Sequence, residues 1–169
     1  MRAKIHEPRT RLIERSLLAV AVAVTGTLGN LAAHAATFGE ELEFLRKHTE
    51  AVVLSDRAGR AQVAVIPAWQ GRVMTSTASG NDGLSFGWIN HELIAARKVQ
   101  PHINVFGGED RFWMGPEGGQ FSIFFAKGVP FDLEHWFTPA PFDTEPFTVL
   151  RKGSDQVHLR HAFGLTNYY

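Results

Sequence analysis

The sequence contains no cysteine in its 169 residues. Disulfide bonds, thiolate metal sites and cysteine nucleophiles are therefore excluded. A domain without disulfides depends on its hydrophobic core for stability, and 13 Phe and 4 Trp residues supply large apolar side chains for one.

The chain also lacks an excess of positive charge, since 17 Lys and Arg residues balance 17 Asp and Glu residues. The first 35 residues hold five of the basic residues and two of the acidic ones, so 12 basic and 15 acidic residues remain after them. Binding of nucleic acid requires a basic surface. We therefore expect no nucleic-acid partner.

Two nucleotide-binding motifs are missing as well, because neither G-x-G-x-x-G nor the phosphate-loop pattern occurs. The zinc-protease motif fails because His91-Glu92 is followed by Ala95 where the second histidine belongs. Convergence of His91, His102, Glu109 and Asp110 on a metal is an alternative that no spacing supports. We predict no cofactor and no metal site.

The N-terminus has the features of an export signal. A basic leader precedes an apolar run at residues 17–31, and Ala33-His34-Ala35 follows as a small-x-small cleavage pattern. The apolar run is shorter than the roughly 20 residues that span a bilayer. We predict a signal peptide at residues 1–35, one domain at 36–169, no stable membrane insertion after cleavage, and a periplasmic or secreted location.

Local patterns in the remaining chain predict a mainly β fold with a short N-terminal helix. Thr37 and Glu40 form a capping-box pattern that opens a helix over residues 37–48. A second helical turn is predicted at 91–99, and a long surface loop rich in proline and aromatic residues at 130–146. Strands are predicted at residues 51–54, 62–66, 73–78, 84–89, 111–114, 120–125, 147–151 and 157–163.

The candidate binding residues lie in a glycine-rich central segment. If residues 109–113 form a strand, Glu109, Arg111 and Trp113 share one face, because side chains alternate along a strand. A carboxylate, a guanidinium and an indole together suit a sugar. The alternative is a solvated Glu109–Arg111 pair with Trp113 in the core. Arg72, with Trp69, forms a second patch, for which an exposed arginine at a sheet edge is the alternative.

Two motifs carry a resemblance to a known family: Gly71-Arg72-Val73 after a strand ending in Val-Ile-Pro, and residues 107–113 leading into 115–120. Over residues 38–169 the sequence resembles secreted bacterial proteins related to the galactose mutarotase (aldose 1-epimerase) superfamily. The resemblance implies an antiparallel β-sandwich whose concave sheet binds a monosaccharide. It places Arg72, Glu109, Arg111 and Trp113 near that cleft, with Glu117 close by.

In active mutarotases a histidine acts as acid and a glutamate from the C-terminal half acts as base, and no segment here matches that glutamate. Proteins with this fold are about twice as long as the present sequence, so the resemblance implies an N-terminal portion of a larger domain, with an incomplete sandwich and a missing C-terminal half. If the family is enzymatic, the resemblance implies an epimerase-type isomerase, and we expect this chain alone to be inactive.

The sequence thus favours a carbohydrate-binding, mutarotase-like domain with a carbohydrate ligand. The second hypothesis is a non-catalytic module that binds another protein through the loop at 130–146. The third is a glycoside hydrolase that uses Glu109 and Glu117, since such enzymes work with paired carboxylates.

Overall fold

The computed structural model describes residues 35–169, which form small antiparallel sheets and a few helices. The predicted mainly β character is therefore confirmed. In chain order the elements are α1 (Phe38–His48), β1 (Val52–Ser55), β2 (Gln62–Ile66), β3 (Arg72–Thr77), α2 (His91–Ala96), β4 (Thr148–Lys152) and β5 (Val157–Arg160). Short 3-10 turns lie at Pro67–Trp69 and Ala140–Phe142.

Helix α1 begins where the capping box predicts. The Thr37 hydroxyl accepts a hydrogen bond from the Glu40 amide at 3.2 Å, and the Glu40 carboxylate accepts one from the Thr37 amide at 2.8 Å. These bonds satisfy two amides that the first turn leaves without helical partners. The helix buries its apolar stripe in the first core cluster, through Phe38, Leu42 and Leu45.

Strands β1, β2 and β3 form an antiparallel sheet with β2 in the middle. The three strands match the predicted runs, with β2 at its predicted bounds and the other two displaced by one residue. Ala64, Ile66 and Met74 contribute fully buried side chains to the first core cluster, beneath α1. Alternating β-branched residues form these strands because they pack well on a half-buried pleated surface.

Three predicted strands are wrong. Residues 84–89 make only isolated bridges at Leu84 and Ile89, and residues 111–114 and 120–125 lie in irregular backbone. Glycine and proline at 115, 116, 118 and 119 interrupt the ladder that a strand requires. The aromatic side chains of this region instead form a second core cluster around Phe124, Phe125 and Phe142.

The predicted surface loop at 130–146 is wrong in part. Phe131 and Leu133 are exposed, but Phe142 is fully buried and Asp143 is 4% exposed. The 3-10 turn at Ala140–Phe142 carries both buried side chains inward. The prolines stiffen this segment but do not keep all of it on the surface. Burial of the Phe142 side chain in the aromatic cluster lowers the free energy of the folded chain, because it removes apolar surface from water.

The predicted C-terminal hairpin is confirmed as β4 paired with β5. It lies against the turn before β3, where Leu159 approaches Gly71. Gly71 has a φ of +67°, and a Cβ at this position would overlap the Leu159 side chain. Glycine is therefore required here for both its backbone conformation and its size.

The predicted signal peptide lies outside the described residues, apart from Ala35. Within residues 35–169, no helix has the length and apolar character that a bilayer crossing demands.

Candidate functional site

A cavity of about 240 Å³ lies among α1, the 3-10 turn Pro67–Trp69, α2 and the segment after Phe142. We call it the Trp69 pocket. It is smaller than the roughly 300–1,000 Å³ typical of sites for drug-sized ligands, so it suits a ligand of about one ring. The residues that line it include His48, Trp69, Arg97, Lys98, Asn104, Phe106 and Asp143.

Aromatic rings form one part of this lining. Trp69 and Phe106 stack with ring centroids 4.6 Å apart and an interplanar angle of 12°. Trp69 ends the 3-10 turn that begins at Pro67, and the next residue, Gln70, has a left-handed backbone with φ 59°. The local turn therefore fixes the direction of the Trp69 side chain.

A buried polar pair forms another part. Asn104 is 1% exposed and Asp143 is 4% exposed. The Asp143 carboxylate accepts hydrogen bonds from the Asn104 backbone amide at 3.0 Å and from its side-chain Nδ2 at 2.7 Å. Buried polar groups need such partners, because an unpaired one costs about 1–3 kcal/mol. The two residues are thereby held in one arrangement.

Two arginines, Arg72 and Arg111, lie near Asp143 but do not line the pocket. Arg72 is 3% exposed and donates from Nη1 to the Gly107 carbonyl at 2.8 Å. Burial, with a smaller contribution from Arg111, lowers the pKa of Arg72 to about 10, against an opposing effect of Asp143. Burial also lowers the pKa of Arg111, again opposed by Asp143. Asp143 thus compensates two desolvated cations through space, without a direct salt bridge.

The arginines also carry buried nitrogens that no group in residues 35–169 accepts from. These are Nε and Nη2 of Arg72 and Nε of Arg111. Leaving such donors without acceptors is costly for charged groups in particular.

Four of the five predicted site residues interact with one another. The Arg111 guanidinium lies 4.3 Å from the centroid of the Trp113 ring, and its Nη2 donates to the Phe142 carbonyl at 2.5 Å. Trp113 donates from Nε1 to Glu117 at 2.7 Å. Arg72 interacts electrostatically with Arg111. Arg72, Arg111, Trp113 and Glu117 thus form one connected group.

The predicted shared face of Glu109, Arg111 and Trp113 is wrong. Glu109 instead accepts hydrogen bonds from the amide and hydroxyl of Ser76, at 2.5 and 2.8 Å. Only Asp110 makes a bridge to β3, and the backbone beyond it is irregular, so side chains do not alternate as in a strand. Trp113 packs against Phe124 and Phe142 in the second core cluster.

Comparison with known proteins gives one result. A family model described as "Family of unknown function (DUF6786)" matches residues 36–169. The chain belongs to DUF6786. No curated protein and no solved structure matches the chain. The DUF6786 match includes every residue that lines the Trp69 pocket.

Sequence reasoning missed most of the lining of this DUF6786 pocket, including Asn104 and Asp143. Asn104 lies in the glycine-rich central segment and Asp143 in the predicted loop at 130–146, 39 positions away, so no local spacing links them. The one available signal was an acidic residue directly after Phe142 in a segment rich in apolar residues.

A serine in a G-x-S-x-G pattern also occurs in this DUF6786 chain, at Ser85 between Gly83 and Gly87. The Ser85 and Thr75 hydroxyl oxygens are 2.5 Å apart. Residues 83–87 do not connect a strand to a helix, as a nucleophile elbow requires. The pattern therefore carries no hydrolase assignment.

The two carboxylates of the hydrolase hypothesis have different hydrogen-bond partners in this DUF6786 member. Glu109 is held by Ser76, and Glu117 by Trp113. The two carboxylates are therefore fixed by different partners. Nor do any three His, Asp or Glu residues within 35–169 form a group able to hold a metal ion.

A larger cavity of about 510 Å³ lies on the other side of α2. Its lining within the described chain contains no Phe, Trp or Tyr, and it includes Glu92, Pro101 and His102. The smaller Trp69 pocket is the better candidate in this DUF6786 domain, because it combines stacked rings with buried polar groups.

Proposed function

We propose that this DUF6786 domain binds a monosaccharide in the Trp69 pocket. The observation that carries the proposal is the presence, in one cavity of about 240 Å³, of a stacked Trp69–Phe106 pair and a buried Asn104–Asp143 pair. A sugar ring has an apolar face of C–H groups and a rim of hydroxyls. Aromatic rings cover the first, and carboxylate and amide groups hydrogen-bond the second.

The predicted arginines support the pocket from behind in this proposal. Arg72 and Arg111 both interact electrostatically with Asp143, and Arg111 also donates to the carbonyl of the preceding Phe142. They are positioning residues, since they act on the ligand through Asp143. Trp113 and Glu117 in turn fix Arg111. Glu109 joins the central segment to β3 through Ser76.

Three wider inferences belong to the same proposal. The Gly71-Arg72-Val73 and Gly115–Gln120 motifs support a relation to the mutarotase-like superfamily and its β-sandwich architecture. The basic leader, apolar run and Ala33-His34-Ala35 support export to the periplasm or the medium. The proposal concerns binding and assigns no reaction.

Replacing Trp69 with alanine is the direct test of the pocket. We expect wild-type protein to bind at least one of glucose, galactose and mannose in isothermal titration calorimetry. The Trp69→Ala variant should bind it about tenfold more weakly, because losing an aromatic stacking contact costs roughly 0.5–1.5 kcal/mol, besides the lost buried area.

Trp88→Ala is the matched control, because Trp88 is 62% exposed and lies outside the pocket. It should leave the affinity unchanged. Absence of heat from the wild type with every sugar, neutral or acidic, would refute the proposed function. Equal affinities of the wild type and Trp69→Ala would refute the assignment of the pocket.

A protein-interaction module is the second candidate, and exposed apolar side chains in the loop favour it. Leu133 is 85% exposed and Phe131 is 51% exposed. Exposed apolar patches often mark contact surfaces. If this patch joins two copies, sedimentation equilibrium will show association that depends on concentration and is abolished by Leu133→Asp. A monomer at all concentrations would argue against this use of the patch.

A further inference from the structure

Two cationic side chains at the Trp69 pocket form no ion pair within the described part of the chain. Arg97 and Lys98 both line the pocket and are exposed. Neither side chain makes a hydrogen bond or an ion pair with any residue from 35 to 169. Exposed lysines and arginines are common, but these two adjoin a cavity that also contains stacked rings. Their charge is therefore available to a ligand in the pocket.

The backbone holds Arg97 in an unfavourable conformation. Arg97 follows α2 as its C-terminal cap with a φ of 53°, and its amide donates to the Ile94 carbonyl. This left-handed position is usually occupied by glycine, because a Cβ makes it less favourable. Within residues 35–169, Gln70 is the other non-glycine residue with a positive φ. Gln70 directly follows Trp69, so both strained positions adjoin the pocket lining.

The single carboxylate of the pocket lining, Asp143, does not offset all of the positive charge near it. Asp143 accepts two hydrogen bonds from Asn104 and interacts electrostatically with Arg72 and Arg111. Burial still lowers the pKa of Arg72 to about 10 despite Asp143, so the two arginines remain under-compensated. Positive charge therefore exceeds negative charge around the pocket.

We propose that the ligand is an acidic sugar, whose ring lies in the Trp69 pocket and whose anionic substituent binds Arg97 and Lys98. This inference rests on the proposed function, and it adds the class of sugar and the residues that select it. The shared chemistry is an anionic group on a hydroxylated ring, either a carboxylate or a phosphate. Charge-assisted hydrogen bonds to such a group contribute more than neutral ones.

The experiment compares glucose, glucuronate and glucose 6-phosphate with the full chain by calorimetry. We expect one of the two anionic sugars to bind at least about tenfold more tightly than glucose, since a hydrogen bond to a charged group contributes roughly 1.5–3 kcal/mol. Tighter binding of glucuronate identifies a carboxylate, and tighter binding of glucose 6-phosphate a phosphate. Raising the salt concentration should reduce the preference, because the cations are exposed.

Variants of Arg97 assign the preference to its charge. Arg97→Gly removes the charge and also relieves the backbone strain, so the variant should fold at least as stably as the wild type. It should lose most of the preference for the anionic sugar. Arg97→Lys keeps the charge and should keep most of the preference. Lys98→Gln should reduce the preference as well.

The two proposals fail in different ways. If glucose binds as tightly as both anionic sugars, or if Arg97→Gly leaves the preference intact, the acidic-sugar inference is overturned while sugar binding stands. If none of the three sugars binds, nor any other tested monosaccharide, the proposed function itself is overturned.

Discussion

Replacing Asp143 with asparagine is expected to lower the free energy of unfolding by about 3 kcal/mol, since it removes a buried charge that compensates others. Asp143 is 4% exposed, accepts hydrogen bonds from Asn104, and opposes the lowered pKa values of Arg72 and Arg111. Asparagine keeps the volume but removes the charge. Both guanidiniums would then stay desolvated without a nearby anion. Urea unfolding followed by tryptophan fluorescence measures the loss.

Asp82→Asn is the control for this substitution. It makes the same change from aspartate to asparagine, but at an exposed turn residue outside the core. It should change the stability by less than about 0.5 kcal/mol. An Asp143→Asn variant as stable as the wild type would show that Asp143 does not compensate the two arginines, and would remove their proposed role in positioning it.

Replacing Phe124 with alanine is expected to destabilise the domain by about 3–5 kcal/mol, the range for removal of a buried phenylalanine. Phe124 is fully buried at the centre of the second core cluster. Its ring lies 5.2 Å from that of Trp113, 5.6 Å from Trp136 and 5.8 Å from Phe142, between centroids. Alanine would leave a cavity among three aromatic rings. Thermal and urea unfolding should report the same loss.

Phe121→Ala is the matched control, because Phe121 belongs to the same segment but is 56% exposed. We expect its stability to stay within about 0.5 kcal/mol of the wild type. If Phe124→Ala were equally harmless, the second cluster would not contribute to cooperative unfolding. Trp113 and Arg111 would then lack the fixed support that the proposed pocket requires.

Elements with strong local signals could be predicted. The Thr37–Glu40 capping box placed the start of α1, and β-branched runs placed β1, β2 and β3 to within one residue. The turn at Gly153–Asp155 placed the C-terminal hairpin. In each case residues close in sequence supply both the preference and its termination, so no knowledge of distant contacts is needed.

The structure of segments with conflicting local signals could not be predicted from the sequence. Residues 111–125 combine aromatic residues, which favour strands, with glycine and proline, which interrupt them. The structure resolves the conflict by burying rings such as Phe124 without regular hydrogen bonding. The assumed alternation at 109–113 failed for this reason, and Glu109 binds Ser76 instead of joining Arg111.

Some residues of the candidate site could be predicted from the sequence, and others could not. Arg72 and Trp69 could be selected from their glycine-flanked turn before β3, and Arg111, Trp113 and Glu117 from their motif. Asp143 could not be selected, because its partner Asn104 and its neighbour Arg72 are 39 and 71 positions away.

The sequence alone determined the absence of cysteine chemistry, the β-rich composition, the capped first helix and the aromatic residues available for a core. Only the tertiary structure decided which polar groups share a cavity, because Trp69, Phe106 and Asp143 come from three separate segments. Local preferences act over a few residues. A pocket forms where the burial of distant apolar surfaces brings such segments together, and that arrangement depends on the packing of the whole domain.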